Sequence, residues 1–282
     1  MSFSGYQLLP HLQALRTQLL EPLQDDHERH RSTYFDLELL PYSLGACWHA
    51  LTESARIQGE LIADFTPEDL AGLAFHVIKP EKRDALSFMV DAFFDAARRA
   101  QNAVIHYLSR GLRQSLPSSM NKLVKRLEGG HLQLPEGPKE EILKYWEKHG
   151  RPLKAYRDLG QHHALVTSDA RVMASKDGLV GLYLLLPSNP EEKAAGRLKF
   201  GDPEIHALLY MKTEFKVLVA FLDWLTKGLI DPSRPRSVSL LQVPRDTIRL
   251  GRGVEHRALL IPSREQLEEE TATLLARLRR GQ

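Results

Sequence analysis

One cysteine, Cys47, stands in the whole chain. A single thiol excludes an internal disulfide and leaves no thiolate set for zinc. It lies in Leu44-Gly45-Ala46-Cys47-Trp48, among small and apolar neighbours, which points to a buried, inert thiol rather than a nucleophile. An excess of one charge is also missing: 38 Lys and Arg against 36 Asp and Glu leave a formal net charge of +2. No global field draws a polyanion, so any nucleic-acid surface must be a local patch. Long apolar runs are absent. The most apolar segment, Phe215 to Ile230, is broken by Lys216, Asp223 and Lys227 and is too short to span a bilayer. The start, Met1-Ser2-Phe3-Ser4-Gly5-Tyr6, has neither the basic nor the apolar region of a secretory signal. Together these absences give the expectation of a cytoplasmic chain with no membrane partner. There is no G-x-x-x-x-G-K-[ST] phosphate loop, no G-x-S-x-G elbow and no H-E-x-x-H pair, and Gly251-Arg252-Gly253 alone is a weak turn signal. No internal repeat or low-complexity tract is found.

What is present is enough for a sizeable core: 282 residues, 43% apolar and 26% charged. The length suits one large domain or two ordinary ones. Most of the pattern is helical. From Tyr6 to Leu23, the spacing of Leu8, Leu9, Leu12, Leu15, Leu19 and Leu20 is close to 3.6 residues. Gln24 to Ser32 follows, polar and histidine-rich. His27 and His30 stand three apart there, but with no further ligands nearby the stretch reads as a solvated loop or helix end rather than a metal site. Thr66-Pro67-Glu68-Asp69 carries the cap, proline and acids of a short helix start.

The strongest helix signal runs from about Glu81 to Leu112, with a wide apolar stripe and small residues at Ala96, Ala97, Ala100 and Ala103 that allow a neighbouring helix to come close. Asn121 to Leu127 reads as a short basic helix. Another helix begins at Lys139, with a break marked by Gly150 and Pro152. The period then changes to two: residues 170–186 read as a β-hairpin turning at Asp177-Gly178. A second long amphipathic helix is expected from about Pro203 to Gly228. Residues 231–236 form a loop or linker, followed by two short β-like pieces and a final helix whose capping box is Ser263 with Gln266.

The densest chemistry lies in Tyr156-Arg157-Asp158-Leu159-Gly160-Gln161-His162-His163. Arginine keeps its charge and suits phosphate, while histidine exchanges protons near neutral pH. On an ideal helix His162 lies about 140° around from Arg157 and His163 about 240°. Neither occupies the i+3 or i+4 position at which side chains meet. One continuous helix therefore cannot close the pair. Either the helix breaks near Gly160, or two copies face each other across a two-fold axis.

The spacing of Arg157 to His162 or His163 resembles the R-x(4–6)-H signature of HEPN domains (higher eukaryote and prokaryote nucleotide-binding), and the order of elements over about residues 40–230 resembles the family's helical bundle. The resemblance implies a mainly α protein: a HEPN-like bundle domain over residues 1–232 with a small β-hairpin, and a short α/β C-terminal extension over 233–282. Gly160 within the motif and the hairpin after it depart from the family's pattern. The family's catalytic members are metal-independent endoribonucleases. By that resemblance His162 or His163 acts as general base or acid and Arg157 neutralises charge on the phosphorane. Asp158 orients one of them, and Tyr156 packs behind the site or stacks on a base. No metal and no cofactor is implied. The implied partners are an RNA substrate, a second copy in a homodimer, and a cognate antitoxin or sensor protein in a toxin or anti-phage defence role. The alternative is a non-catalytic HEPN-like scaffold, binding a nucleotide or a partner, in which the same residues form a polar network.

Overall fold

The computed structural model describes residues 5–70, 73, 75–162, 166–174, 179–192 and 194–231. Over these the chain is mainly helical with small antiparallel sheets. The helix expected from Tyr6 to Leu23 is split in two, α1 (Gly5–Leu8) and α2 (His11–Leu20). Pro10 has no N–H for a helical bond, so the chain restarts there. Its N-terminal stretch ends in a 3-10 turn over Glu21–Leu23.

The polar stretch after it is the start of α3 (His27–Ala63), a helix of 37 residues. The Asp26 carboxylate caps it, accepting the Arg29 N–H at 3.0 Å. Pro41 lies inside α3 and takes away the donor that would serve the Leu37 carbonyl one turn back. The buried hydroxyl of Tyr107 replaces it, donating to Leu37 O at 3.0 Å. Gly5 packs on the same proline so closely that a Cβ there would stand 2.1 Å from Pro41 O.

Thr66 and Asp69 do form the reciprocal cap, with Thr66 N and Oγ1 each 2.8 Å from Asp69 Oδ2. The chain makes only a turn over residues 67–70, which corrects the helix expected there. Four residues make too few helical bonds to repay a costly helical nucleus.

The central helix α4 (Pro80–Gly111) matches its expected bounds and packs along α3. Ala96, Ala97, Ala100 and Ala103 are buried in the core together with Phe93, Phe94, Tyr107 and Leu108. Beyond it α5 (Met120–Glu128) is capped by Ser119, and α6 (Glu136–Tyr145) leads into a π-helical turn, Trp146–Gly150, and on to α7 (Arg151–His162). The break expected at Gly150 and Pro152 is this wide turn instead. Arg151 N–H donates to Trp146 O, five residues back, and the extra residue lets the helix pass a proline without ending.

Residues Arg171–Ala174 (β2) and Val180–Tyr183 (β3) pair antiparallel, Arg171 opposite Tyr183 and Ala174 opposite Val180, as the hairpin reading expected. Its turn at Asp177-Gly178 lies outside the described residues. Two short strands escape a sequence reading because two residues show no period. His76–Val77 (β1) adds to β2, and Ile205–His206 (β5) pairs with Leu185–Leu186 (β4). The latter pairing moves the start of the second long helix, α8 (Ala207–Lys227), past Pro203. Both α7 and α8 pack on α4. The C-terminal extension of residues 233–282, with Ser263 and Gln266, lies outside the described residues. Among the described residues no helix is long and apolar enough to cross a membrane.

Candidate functional site

Helix α7 turns its apolar side, Leu153, Tyr156 and Leu159, into the core and leaves its charged side against α4 and solvent. Tyr156 is 3% exposed. Its ring stacks on Phe94 at 5.0 Å and meets Tyr210 edge-on at 5.3 Å, and its hydroxyl donates to Pro187 O at 2.9 Å. It therefore sits behind the surface, as a packing residue does. Burial raises the phenol to about 12.

Arg157 reaches across to α4. Its Nε donates to Asp95 Oδ1 at 3.3 Å, and its Nη1 to Asp158 Oδ1 at 3.2 Å. Asp158 also accepts from Lys154, one turn back on the same helix. Burial works to raise the Asp158 carboxyl, but the hydrogen bonds from Lys154 and Arg157 outweigh it and hold the group below the usual carboxylate range. Asp95 takes a further bond from Gln161 Nε2 at 2.7 Å. The result is a continuous chain of ion pairs and hydrogen bonds between α7 and α4.

His162 stands exposed at the end of α7. The helix runs without a break through Gly160, so His162 and Arg157 keep their separation of about 140° around the axis. Within one chain the structure brings Arg157, Asp158 and Tyr156 into one region but does not break the helix to turn His162 onto Arg157. His163 lies outside the described residues.

Gly160 has a packing reason. A Cβ there would stand 2.8 Å from both Asp91 Oδ1 and Val166 Cγ2. Asp91 Oδ1 is buried with no hydrogen-bond partner among the described residues. Burial first, then the neighbouring Asp95, pushes this carboxyl up to about 6. Asp91, Ala92, Asp95, Arg157, Gly160 and Gln161 line a cavity of about 310 Å³. Its lining thus includes a carboxyl raised by burial and an arginine already held by carboxylates. Asp91 and Asp95 were visible in the sequence as two acids one turn apart within the apolar stripe of α4.

A second polar cluster surrounds the π-helical turn. Glu214 on α8 is 6% exposed, and both its oxygens lie 3.1 Å from His149 Nδ1. Burial raises the Glu214 carboxyl against the pull of His149. Beside them Arg98 is buried, donates to Gln101 Oε1 at 2.9 Å and lies 5.3 Å from the centre of the Trp146 ring. Gln101 Nε2 donates in turn to Tyr145 OH at 3.0 Å. Burial lowers the Arg98 guanidinium to about 10, against the attraction of Asp158. His149 and Glu214 are 65 residues apart, so no local motif announces the pair.

His27 and His30 occupy the first turn of α3, where His30 is buried. Among the described residues no three His, Cys, Asp or Glu side chains converge as a metal would require. Cys47 is buried and its thiol is pushed well up by desolvation. Compared with known proteins, the chain matches no family model, no curated protein and no solved structure.

Proposed function

We propose that this chain is a non-catalytic helical scaffold in which Arg157, Asp158, Lys154 and Asp95 form the ion network that fixes α7 on α4. The observation that carries this reading is the occupied guanidinium. Arg157 is held at 3.3 Å by Asp95 and at 3.2 Å by Asp158. A phosphate entering here would have to compete with two carboxylates for the same donors, and their charge would repel it. His162, one of the two candidate partners for an acid–base pair, stands about 140° around the same unbroken helix from Arg157.

A metal-independent endoribonuclease of HEPN type is the second reading, and one observation favours it. The Arg157 side chain keeps 31% exposure and His162 is exposed on the same helix. Two copies related by a two-fold axis could then bring one protomer's His162 to its partner's Arg157. In that reading the protein is a homodimer, RNA is its substrate, and an antitoxin or sensor protein restrains it. Labelled RNA incubated with the protein in EDTA separates the two readings. The scaffold leaves RNA intact at every protein concentration. The nuclease gives products ending in a 2′,3′-cyclic phosphate and loses them in the Arg157→Ala variant.

A further inference from the structure

The cations of this molecule are unevenly distributed, and some outside the segment below, such as Lys212 and Lys216, also stand in no ion pair among the described residues. Arg16, Arg56, Lys82, Arg83, Arg151, Lys154 and Arg157 all stand in ion pairs. By contrast, the segment from Arg110 to Pro135 holds Arg110, Arg113, Lys122, Lys125 and Arg126 against the single acid Glu128, a net +4 in a chain whose total is +2. None of these five cations has an ion-pair or hydrogen-bond partner for its side chain among the described residues. Lys122, Lys125 and Arg126 are exposed on α5, and Arg113 is exposed just past the end of α4.

The fold brings the segments that carry them together. The Asn102 side-chain Oδ1 on α4 accepts from Met120 N–H at 3.0 Å, at the start of α5, and Gln114 Nε2 donates to Gln133 O at 3.2 Å, beyond its end. These two ties lay α5 along the last turns of α4. Helix-end electrostatics accounts for part of the charge, since cations are favoured at C-termini. It does not account for Lys122, which lies in the first turn of α5, where a cation is disfavoured.

A second observation concerns the backbone. Arg113 has φ 52°, in the left-handed region, while Gln114 N–H donates back to Ser109 O at 2.9 Å. This is the helix-ending position at which glycine is strongly preferred. An arginine there is strained, and strain of this kind collects where a side chain is needed for something else.

We propose that the α4–α5 face binds the phosphodiester backbone of double-stranded nucleic acid without reading its sequence. The cations supply the phosphate contacts, and Ser115 and Ser118 beside them are residue types that serve the same purpose. The face carries no exposed large apolar residue between positions 110 and 131. It therefore lacks the aromatic platform on which single strands stack and the apolar residues with which a protein enters a lipid surface. Along α4 it begins at Asn102, about 10 Å from Asp95, and none of its five cations belongs to the Arg157 network.

The test is fluorescence anisotropy of the full chain with a labelled RNA duplex and a labelled DNA duplex of mixed sequence, repeated with the same strands single and with vesicles rich in anionic lipid. The wild type should bind both duplexes more tightly than the single strands, with affinity falling steeply with salt, by a log–log slope of about −3 for three to four phosphates. The triple variant Lys122→Glu, Lys125→Glu, Arg126→Glu should lose at least about tenfold in affinity, and Arg56→Ala, at an exposed ion pair on α3, should bind unchanged. Arg113→Gly separates binding from folding, since it should raise the melting temperature and weaken duplex binding together. Absence of duplex binding, salt-independent binding, an unchanged triple variant, or preference for single strands or vesicles would each overturn the proposal.

Discussion

Tyr107 of α4 donates its hydroxyl to the carbonyl of Leu37 in α3 at 3.0 Å, the carbonyl that Pro41 leaves without its helical donor. The two longest helices are thus joined at the point where one of them is defective. Tyr107 is fully buried, so water cannot take over the role. Tyr107→Phe should cost about 1–3 kcal/mol, the range for a buried carbonyl left unpaired. Urea unfolding measures it, and a cost near zero would show that the carbonyl finds another donor.

Gly160 should tolerate no side chain. Alanine gains about 1 kcal/mol in helix propensity, but its Cβ would stand 2.8 Å from Asp91 Oδ1 and from Val166 Cγ2. Overpacking of this kind costs about 1–3 kcal/mol, so Gly160→Ala should be a net destabilisation. The loss should be smaller in an Asp91→Ala background, where one of the two obstructing atoms is gone. A stabilised Gly160→Ala variant would mean that α7 moves freely against α4.

Asp91 gives the fold a pH dependence of definite sign. Its carboxyl is raised from 3.8 to about 6, chiefly by burial. An acid raised by folding contributes stability when protonated, so that contribution is full below about pH 4 and is lost as pH rises through 6. Asp91→Asn removes the penalty and should stabilise the protein at pH 7.5 by about 1 kcal/mol after allowing for solvent screening. At pH 4 the variant and the wild type should melt alike. A gain that persists at pH 4 would assign the effect to something other than ionisation.

Glu214 and His149 make a matching prediction in the second cluster. Glu214 is 6% exposed, and the imidazole 3.1 Å away is its hydrogen-bond partner. His149→Ala leaves the carboxylate buried and unpaired, at a cost of about 2–3 kcal/mol. Because burial raises this acid, the cost should shrink as pH falls and protonation neutralises the carboxylate. Thermal melts of His149→Ala and of His149→Ala with Glu214→Gln check this, the double variant recovering most of the loss.

Much of the architecture was legible because long helices repeat their signal. The stripe of α4 and that of α8 each extend over several turns, and the period-two segment after the motif pairs as β2 with β3. What was not legible depends on partners far away in sequence. Tyr107 supplies from another helix the donor that Pro41 takes from Leu37, and Tyr145 and Trp146 pack against Gly150 at the π-helical turn. The site was legible by composition and not by geometry. Arg157, Asp158 and Tyr156 do lie together, but Asp95 and Asp91, which complete their surroundings, come from a helix more than sixty residues earlier.

The central claim is that Arg157 holds the fold rather than a substrate. The most direct measurement is a thermal melt of Arg157→Ala beside the wild type, with each protein also incubated with labelled RNA in EDTA. The scaffold account predicts a stability loss of about 1 kcal/mol, a fall of about 2–4 °C in a protein of this size, and intact RNA with both proteins. An unchanged melting temperature together with RNA cleavage by the wild type that disappears in the variant would contradict it.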